Sequence, residues 1–393
     1  MSLDVIIDNI INHAIKAVEC HQGMITLVDE ISPSSMFTLV RAADSSSTHK
    51  QFHLNQNILG WMIINKKPLV SDNFPTDERF AGVQIDGSIK SLLCVPLLVK
   101  NRLIGILALF DKKGNGSFTN DDVRLLSIMA TQSAQVLENA RLYEQERKKI
   151  AMEKELIAAR EVQMNLLPRE LPKVPGFQLA ATTIPAKEVG GDFYDIIKIQ
   201  DNIFEIIIAD VAGKGLPAAL LATLGKGVLC SQALQHTSLL TQLNFSNHIL
   251  RGSVPHNSFI TLLLATINTS SKTITIANAG HCYPLFFNTK TMRADSIPVK
   301  GLALNLTDDY RSEVNSFKMN SNDCLILYSD GVSEAQNISQ EFFGTERLAA
   351  IMERSIEKDA ATILKNILDE IKIFTKGVAQ FDDITILVMK ATG

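Results

Sequence analysis

Between Phe118 and Pro168 the chain contains neither proline nor glycine, a constraint that only a long helix meets comfortably. From Glu138 to Glu170, 14 of 33 residues are charged, seven of each sign, about twice the 20% of the whole chain. Tyr143, Ile150, Ile157 and Met164 stand seven apart on this segment, the spacing of a coiled-coil seam. The second seam row is poor, carrying Glu146, Glu153 and Arg160 before Leu167. The pattern predicts a helix over about 120–167 and a short parallel coiled coil, hence a homodimer through this linker. A solvated single helix and a helix folded back on its own domain are the alternatives. The helix divides the 393 residues into a domain at 1–137, a helical linker at 138–170 and a domain at 171–393.

The first part opens with Leu3, Ile6, Ile7, Ile10, Ile11, Ala14 and Val18 at helical spacing. Apolar runs at Met24–Val28 and Phe37–Ala42, a short helix at Ile58–Ile64 and a hairpin, Ser91–Val99 and Leu103–Phe110, follow. Thr119 or Asn120 caps the long helix, with Asp121 and Asp122 in its first turn. The third part opens on a connector holding Pro168, Pro172 and Pro175. It then reads as nine strands, starting at Gln178, Phe193, Phe204, Phe259, Thr273, Leu285, Ser312, Cys324 and Ile384. Helices are predicted at Pro217–Leu234, Thr345–Arg354 and Ala360–Phe374. The regular strand–helix alternation of a parallel sheet is missing. The fold class is therefore α+β in two domains, with antiparallel sheets flanked by helices.

Composition narrows the function. The 38 Lys plus Arg against 42 Asp plus Glu give a net charge of -4, which excludes a broadly basic nucleic-acid binder and any electrostatic pull to an acidic membrane. Five cysteines without CxxC spacing indicate neither a disulfide framework nor a zinc knuckle. Buried reduced thiols in a cytoplasmic protein are the expectation. No signal peptide pattern opens the chain, and the apolar window Leu92–Phe110 is cut by Lys100, Asn101 and Arg102, so no direct membrane insertion is expected.

Four places in the third part set an aspartate against an apolar strand, three of them with a glycine within three residues. These are Gly190-Gly191-Asp192 before Phe193, Asp210 after Ile206–Ala209, Asp330-Gly331 after Leu325–Ser329, and Asp382-Asp383 before Ile384. Unpaired carboxylates at buried strand ends are costly, and only Lys187, Lys198 and Lys214 lie near them in sequence. Divalent cations would neutralise such a cluster. An oxygen-only donor set without His or Cys points to Mg²⁺ or Mn²⁺ rather than Zn²⁺. Gly213-Lys214-Gly215 and Gly225-Lys226-Gly227 are not phosphate-binding P-loops, because neither has the GxxxxGK spacing followed by Ser or Thr.

Taken together, Glu188-Val-Gly-Gly-Asp-Phe-Tyr-Asp195, Ala209-Asp-Val-Ala-Gly-Lys-Gly215, Asn278-Ala-Gly-His281, Leu327-Tyr-Ser-Asp-Gly-Val-Ser-Glu-Ala-Gln-Asn337 and Asp382-Asp-Ile-Thr385 resemble the SpoIIE/RsbU-type branch of the metal-dependent PP2C-like serine/threonine phosphatases. The resemblance spans about 175–390 and implies an α-β-β-α sandwich. It implies that Asp210 bridges two Mn²⁺ or Mg²⁺ ions and that the Val211 backbone carbonyl completes the first ion's protein ligands. Asp330 and Asp382 would hold the second ion, and Asp192 would position waters of the first. Gly191, Lys214, His281, Gly331 and Asp383 would stand behind these ligands, His281 within a scaffold motif rather than as general acid. The implied reaction is direct attack of an activated water on phosphorus without a phosphoenzyme. No arginine near Asp192 matches the one that holds phosphate in the larger relatives, so phosphate recognition is left open.

Ser91–Phe110 followed by Phe118–Leu137 is similar to a GAF sensor domain. This implies an unknown small ligand or protein partner there, with Asp72–Ile89 as a flap over its pocket. Cys20 and Cys94 are read as buried hydrophobes rather than attachment or redox sites. The resemblance also implies a substrate, a phosphorylated STAS-type anti-sigma antagonist. A GAF-gated docking protein without catalysis and a phosphatase of small phosphoesters are the competing readings.

Overall fold

A computed structural model of the chain describes residues 3–28, 36–42, 56–77, 89–255 and 257–392. The greater part of the expected flap, 78–88, lies outside the described residues. The chain forms two compact units, Met1–Ala151 and Met152–Gly393.

In the first unit, α1 (Leu3–Val18) lays Ile7, Ile11, Ala14 and Val18 into the core. Strands β1 (Cys20–Val28), β2 (Met36–Ala42), β3 (Leu69–Ser71), β4 (Leu92–Val99) and β5 (Arg102–Lys112) form one antiparallel sheet in the order β2-β1-β5-β4-β3. The predicted hairpin is β4–β5. Its turn residues Lys100 and Asn101 both take positive φ, 46° and 66°, as the twist of a two-residue hairpin requires. α2 (Gln56–Asn65) contributes Ile58, Leu59 and Met62 to a core with Leu92, Cys94 and Ile106. Strand β3 is new relative to the sequence reading: three residues are too few to show an alternation. Burial pushes the Cys20 thiol up to about 12 and the Cys94 thiol up as well, so neither is a reactive thiolate.

Helix α3 (Asn120–Met164) begins with a reciprocal cap. The Thr119 hydroxyl accepts from the Asp122 amide at 3.2 Å, and Asp122 Oδ2 accepts from the Thr119 amide at 2.9 Å. Thr119, not Asn120, is therefore the capping residue.

The second unit is a four-layer sandwich. One sheet has the order β13-β10-β9-β8-β7, from β7 (Phe193–Gln200), β8 (Ile203–Val211), β9 (Ile260–Asn268), β10 (Thr273–Ala279) and β13 (Val314–Lys318). The other runs β12-β11-β14-β15-β6, from β6 (Phe177–Ile184), β11 (Leu285–Asn288), β12 (Arg293–Ser296), β14 (Cys324–Tyr328) and β15 (Ile384–Ala391). The strand pairs of both sheets are antiparallel. Ile206, Ile208, Leu263 and Ile276 of the first sheet meet Leu325, Leu327, Leu387 and Met389 of the second in the central core. The outer face of the first sheet is covered by α4 (Leu216–Ala233) and α5 (Leu239–Ser253), that of the second by α7 (Gly344–Ser355) and α8 (Ala360–Phe374). A four-residue turn, α6 (Asp330–Ser333), follows β14. Among the described residues α4 is the one helix with the length and apolarity of a membrane span. Here Ala218, Ala222 and Leu229 of that helix pack into the core with Phe193 and Ile207.

One carboxyl is buried under the helical layer. Glu205 on β8 is 2% exposed; its Oε2 accepts from Gln242 Nε2 at 2.9 Å while its Oε1 has no partner. Burial raises its pKa to about 7, against a smaller lowering by Gln242. A raised folded-state pKa means that the stability is intact below about pH 4.5 and is lost as the pH rises through about 7. The loss amounts to about 3 kcal/mol at full ionisation. Glu205→Gln keeps the acceptor for Gln242 without the charge. It is expected to melt with wild type at pH 5 and several degrees above it at pH 8 in thermal scans. Parallel pH profiles for the two proteins would refute the assignment.

Candidate active site

The two sheets of the sandwich bring their strand ends together at one edge. β8 and β7 are antiparallel neighbours, with Ala209 opposite Phe193, so Asp210 near the end of one lies by Asp192 at the start of the other. β14 and β15 are likewise paired, with Tyr328 opposite Ile386, which sets Ser329 and Asp330 against Asp382 and Asp383. The Ser329 amide donates to the Thr385 carbonyl at 3.0 Å and closes that end. Four motifs spread over 190 residues of sequence thus converge on one edge.

The electrostatics report the convergence. Asp210 is pushed up to about 7, first by burial and then by the charge of Asp330, with Asp382 and Asp383 adding to it. Asp192 is raised well above the carboxylate range by burial and by Asp210, partly offset by the Ser329 and Thr385 hydroxyls. Asp330 is raised by burial, then by Asp382 and by Glu334. Glu334 is an acidic neighbour that the sequence reading did not single out, although it sits within the Leu327–Asn337 motif. Among the described residues no three His, Cys, Asp or Glu side chains form a ready-made metal-holding group. The carboxylates share one electric field without forming a preassembled cage.

The surroundings suit a hard cation. Asp192 is 6% exposed and its Oδ2 is buried with no hydrogen-bond partner. A buried, partnerless carboxylate oxygen is expensive unless something charged is to meet it. Gly191 packs against the Val211 carbonyl so closely that a Cβ there would come within 2.9 Å of that oxygen. The donor set of Asp192, Asp210, Asp330, Asp382 and the Val211 carbonyl is all oxygen, which fits Mg²⁺ or Mn²⁺.

The residues expected behind the ligands fall into place in different ways. Asp383 is buried and organises the loop before β7: its Oδ1 accepts from the Ala186 amide at 2.7 Å, its Oδ2 from the Gly191 amide at 2.6 Å and the Asp192 amide at 3.3 Å. Gly331 abuts the Asp383 carbonyl. His281 is buried, its Nδ1 3.0 Å from Thr261 Oγ1, and burial lowers its pKa to about 4. Its amide donates to Asn278 Oδ1 at 2.8 Å and its carbonyl accepts from Asn278 Nδ2 at 2.9 Å, a closed bracket between the two ends of that motif. Lys214 pairs with Asp382 instead of standing in solvent: its Nζ lies 2.9 Å from Asp382 Oδ2, donates to the Phe381 carbonyl at 2.5 Å and sits 3.5 Å over the Phe381 ring.

Known proteins match on the same lines. The family model for stage II sporulation protein E (SpoIIE) matches residues 200–392, and the GAF domain model matches residues 1–138. Phosphoserine phosphatase RsbU of Bacillus subtilis is 30% identical over 239 residues, covering 60% of this chain and 70% of that protein. The chain belongs to the SpoIIE/RsbU-type family of PP2C-like phosphatases. Its PP2C-like domain shares the fold of the SiaA-PP2C domain of Pseudomonas aeruginosa, with a TM-score of 0.56 at 20% identity, over 62% of this chain and 98% of that one. The RsbU and RsbW domains of a Mycobacterium tuberculosis protein share it with a TM-score of 0.51 at 21% identity. Here the coverage is 58% of this chain and 63% of that one. The fusion of a GAF domain to this PP2C-like domain accounts for both units.

Proposed function

We propose that this SpoIIE/RsbU-type protein is a cytoplasmic, Mn²⁺- or Mg²⁺-dependent phosphatase of phosphoserine or phosphothreonine on a STAS-type anti-sigma antagonist, controlled by its GAF domain and working as a homodimer. The observation that carries the reading is the partnerless buried oxygen of Asp192 at the edge where Asp210, Asp330 and Asp382 converge. Asp210, Asp330, Asp382 and the Val211 carbonyl would hold two ions, with Asp192 orienting water beside them. When bound, the ions would supply Lewis-acid activation of a water and neutralise charge on the phosphoryl oxygens. Asp383 fixes the Asp192 loop through three backbone amides, so the carboxylate needs little reorganisation during the reaction. His281, neutral above its lowered pKa of about 4, serves as a strut tied to Thr261 on the strand next to Asp210. Lys214 balances Asp382.

RsbU is named a phosphoserine phosphatase, which supports the phosphoprotein class for this chain. The test is a phosphatase assay with Mn²⁺ on phosphorylated STAS-type antagonists of the same genome, beside a generic phosphoester. Release of phosphate from the phosphoprotein, abolished by EDTA and restored by Mn²⁺, is the expected result. Turnover of the small ester alone would shift the substrate class, and no metal-dependent hydrolysis of either would favour a docking protein.

A further inference from the structure

The loop that carries Asp192 is held from two sides, and only one hand belongs to the carboxylate motifs. On the far side is Gln163, in the last turn of α3 and within the second unit. Its Nε2 donates to the Gly190 carbonyl at 2.5 Å, and its Oε1 accepts from the Gly190 amide at 3.1 Å. One carboxamide thus satisfies both backbone groups of a single residue, as a neighbouring strand would. A Cβ at Gly190 would lie 2.4 Å from Asp383 Oδ2, so any other residue there would push the Asp383 carboxylate off its amide partners. Asp383 grips the next two amides, Gly191 and Asp192.

A cavity opens beside the contact, lined by Gln163, Leu167, Pro185, Asp192, Phe193 and Thr223. On that side the loop is held by the two hydrogen bonds from Gln163. The helix exit is itself anchored. Lys226 on α4 donates to the Leu166 carbonyl and pairs with Asp195 Oδ2 at 2.7 Å. Gln163 is therefore mounted on a fixed base and faces the backbone two residues before Asp192.

We propose that Gln163 is a positioning residue for the Asp192 carboxylate: its amide sets where that carboxylate faces the incoming cation and its waters. The inference rests on the metal-site reading above. The test uses the full chain and the variants Gln163→Met, which keeps the length and loses both hydrogen bonds, and Gln163→Glu, which keeps the acceptor and loses the donor. Two readouts are taken: amide hydrogen exchange at Gly190–Asp192 in EDTA, and Mn²⁺ binding by calorimetry. Gln163→Met is expected to speed exchange and weaken Mn²⁺ binding by about tenfold each, the worth of one to two net hydrogen bonds, with its melting temperature lower by a few degrees. Gln163→Glu is expected to fall at least as far. Unchanged exchange in both variants would overturn the proposal. So would faster exchange with wild-type Mn²⁺ affinity, since Gln163 would then be a structural clasp only. If the wild-type protein itself binds no Mn²⁺, the metal-site reading fails, and with it the cation half of this proposal. The exchange data then decide the loop half alone.

Discussion

Asp210→Asn is expected to bind Mn²⁺ weakly at both sites and to lose about 10²–10³-fold in phosphate release, while melting higher than wild type in EDTA. The two directions share one cause. Asp210 sits among Asp192, Asp330, Asp382 and Asp383, and burial with the Asp330 charge raises its pKa to about 7. Without cations the cluster is a source of repulsion, so removing one member relieves it. With cations, the same carboxylate would be the contact shared by both ions in the proposed site, so its loss should be felt at each. Asp330→Asn and Asp382→Asn should weaken one site more than the other. Calorimetry with Mn²⁺ and thermal scans in EDTA measure the two halves separately. An Asp210→Asn protein with unaltered metal binding and turnover would remove Asp210 from the site. One that binds poorly and also melts lower would show that the carboxylate is structural first.

Much of this arrangement can be read along the chain because its carriers are local. Each aspartate borders an apolar run, so strand and carboxylate are visible together, as at Ile206–Asp210 and Leu325–Asp330. Helix α8 shows its period through Ile363, Leu364, Ile367 and Ile371, all buried. Helix α5 is harder to see. Leu239, Leu243 and Leu250 face inward, but Asn244, Ser246, Asn247 and His248 interrupt the pattern and Phe245 points out. Its available signal is the cap, where the Ser238 hydroxyl accepts from the Thr241 amide at 3.2 Å. β12 has no buried residue to betray it. What sequence patterning does not carry is pairing over distance. Gln163 meets a backbone 27 residues on, Lys214 a carboxylate 168 residues on, and Lys226 an aspartate on the preceding β7. A glutamine on a polar helix looks like solvated surface until the partner backbone is in view. Lys226 looks like one more helix residue for the same reason.

Ile150→Asp with Ile157→Asp is expected to convert a parallel dimer into monomers and to change phosphatase rate with it. Tyr143, Ile150, Ile157 and Met164 lie on α3 with 64%, 45%, 53% and 38% of their surface exposed in the single chain. Exposed apolar residues seven apart are costly to leave in water and inexpensive to cover with a second copy of the same stripe. Burying an isoleucine is worth about 1.5–3 kcal/mol, and the double variant removes four of them from a dimer. It also places carboxylates on the dyad, so the dissociation constant should weaken by at least about 10³-fold. The neighbouring row, Glu146, Glu153 and Arg160, would keep such a seam modest in strength. A modest seam can hold alternative registers of similar energy, which is what a control element needs. The helix that carries this stripe also carries Gln163, so a shift of register would reach the Gly190 backbone through a side chain already bonded to it. Sedimentation and phosphate release should be measured on the same preparations, with the 171–393 fragment alongside. A wild-type monomer, or a monomeric double variant with unchanged basal and stimulated rates, would refute control through the seam.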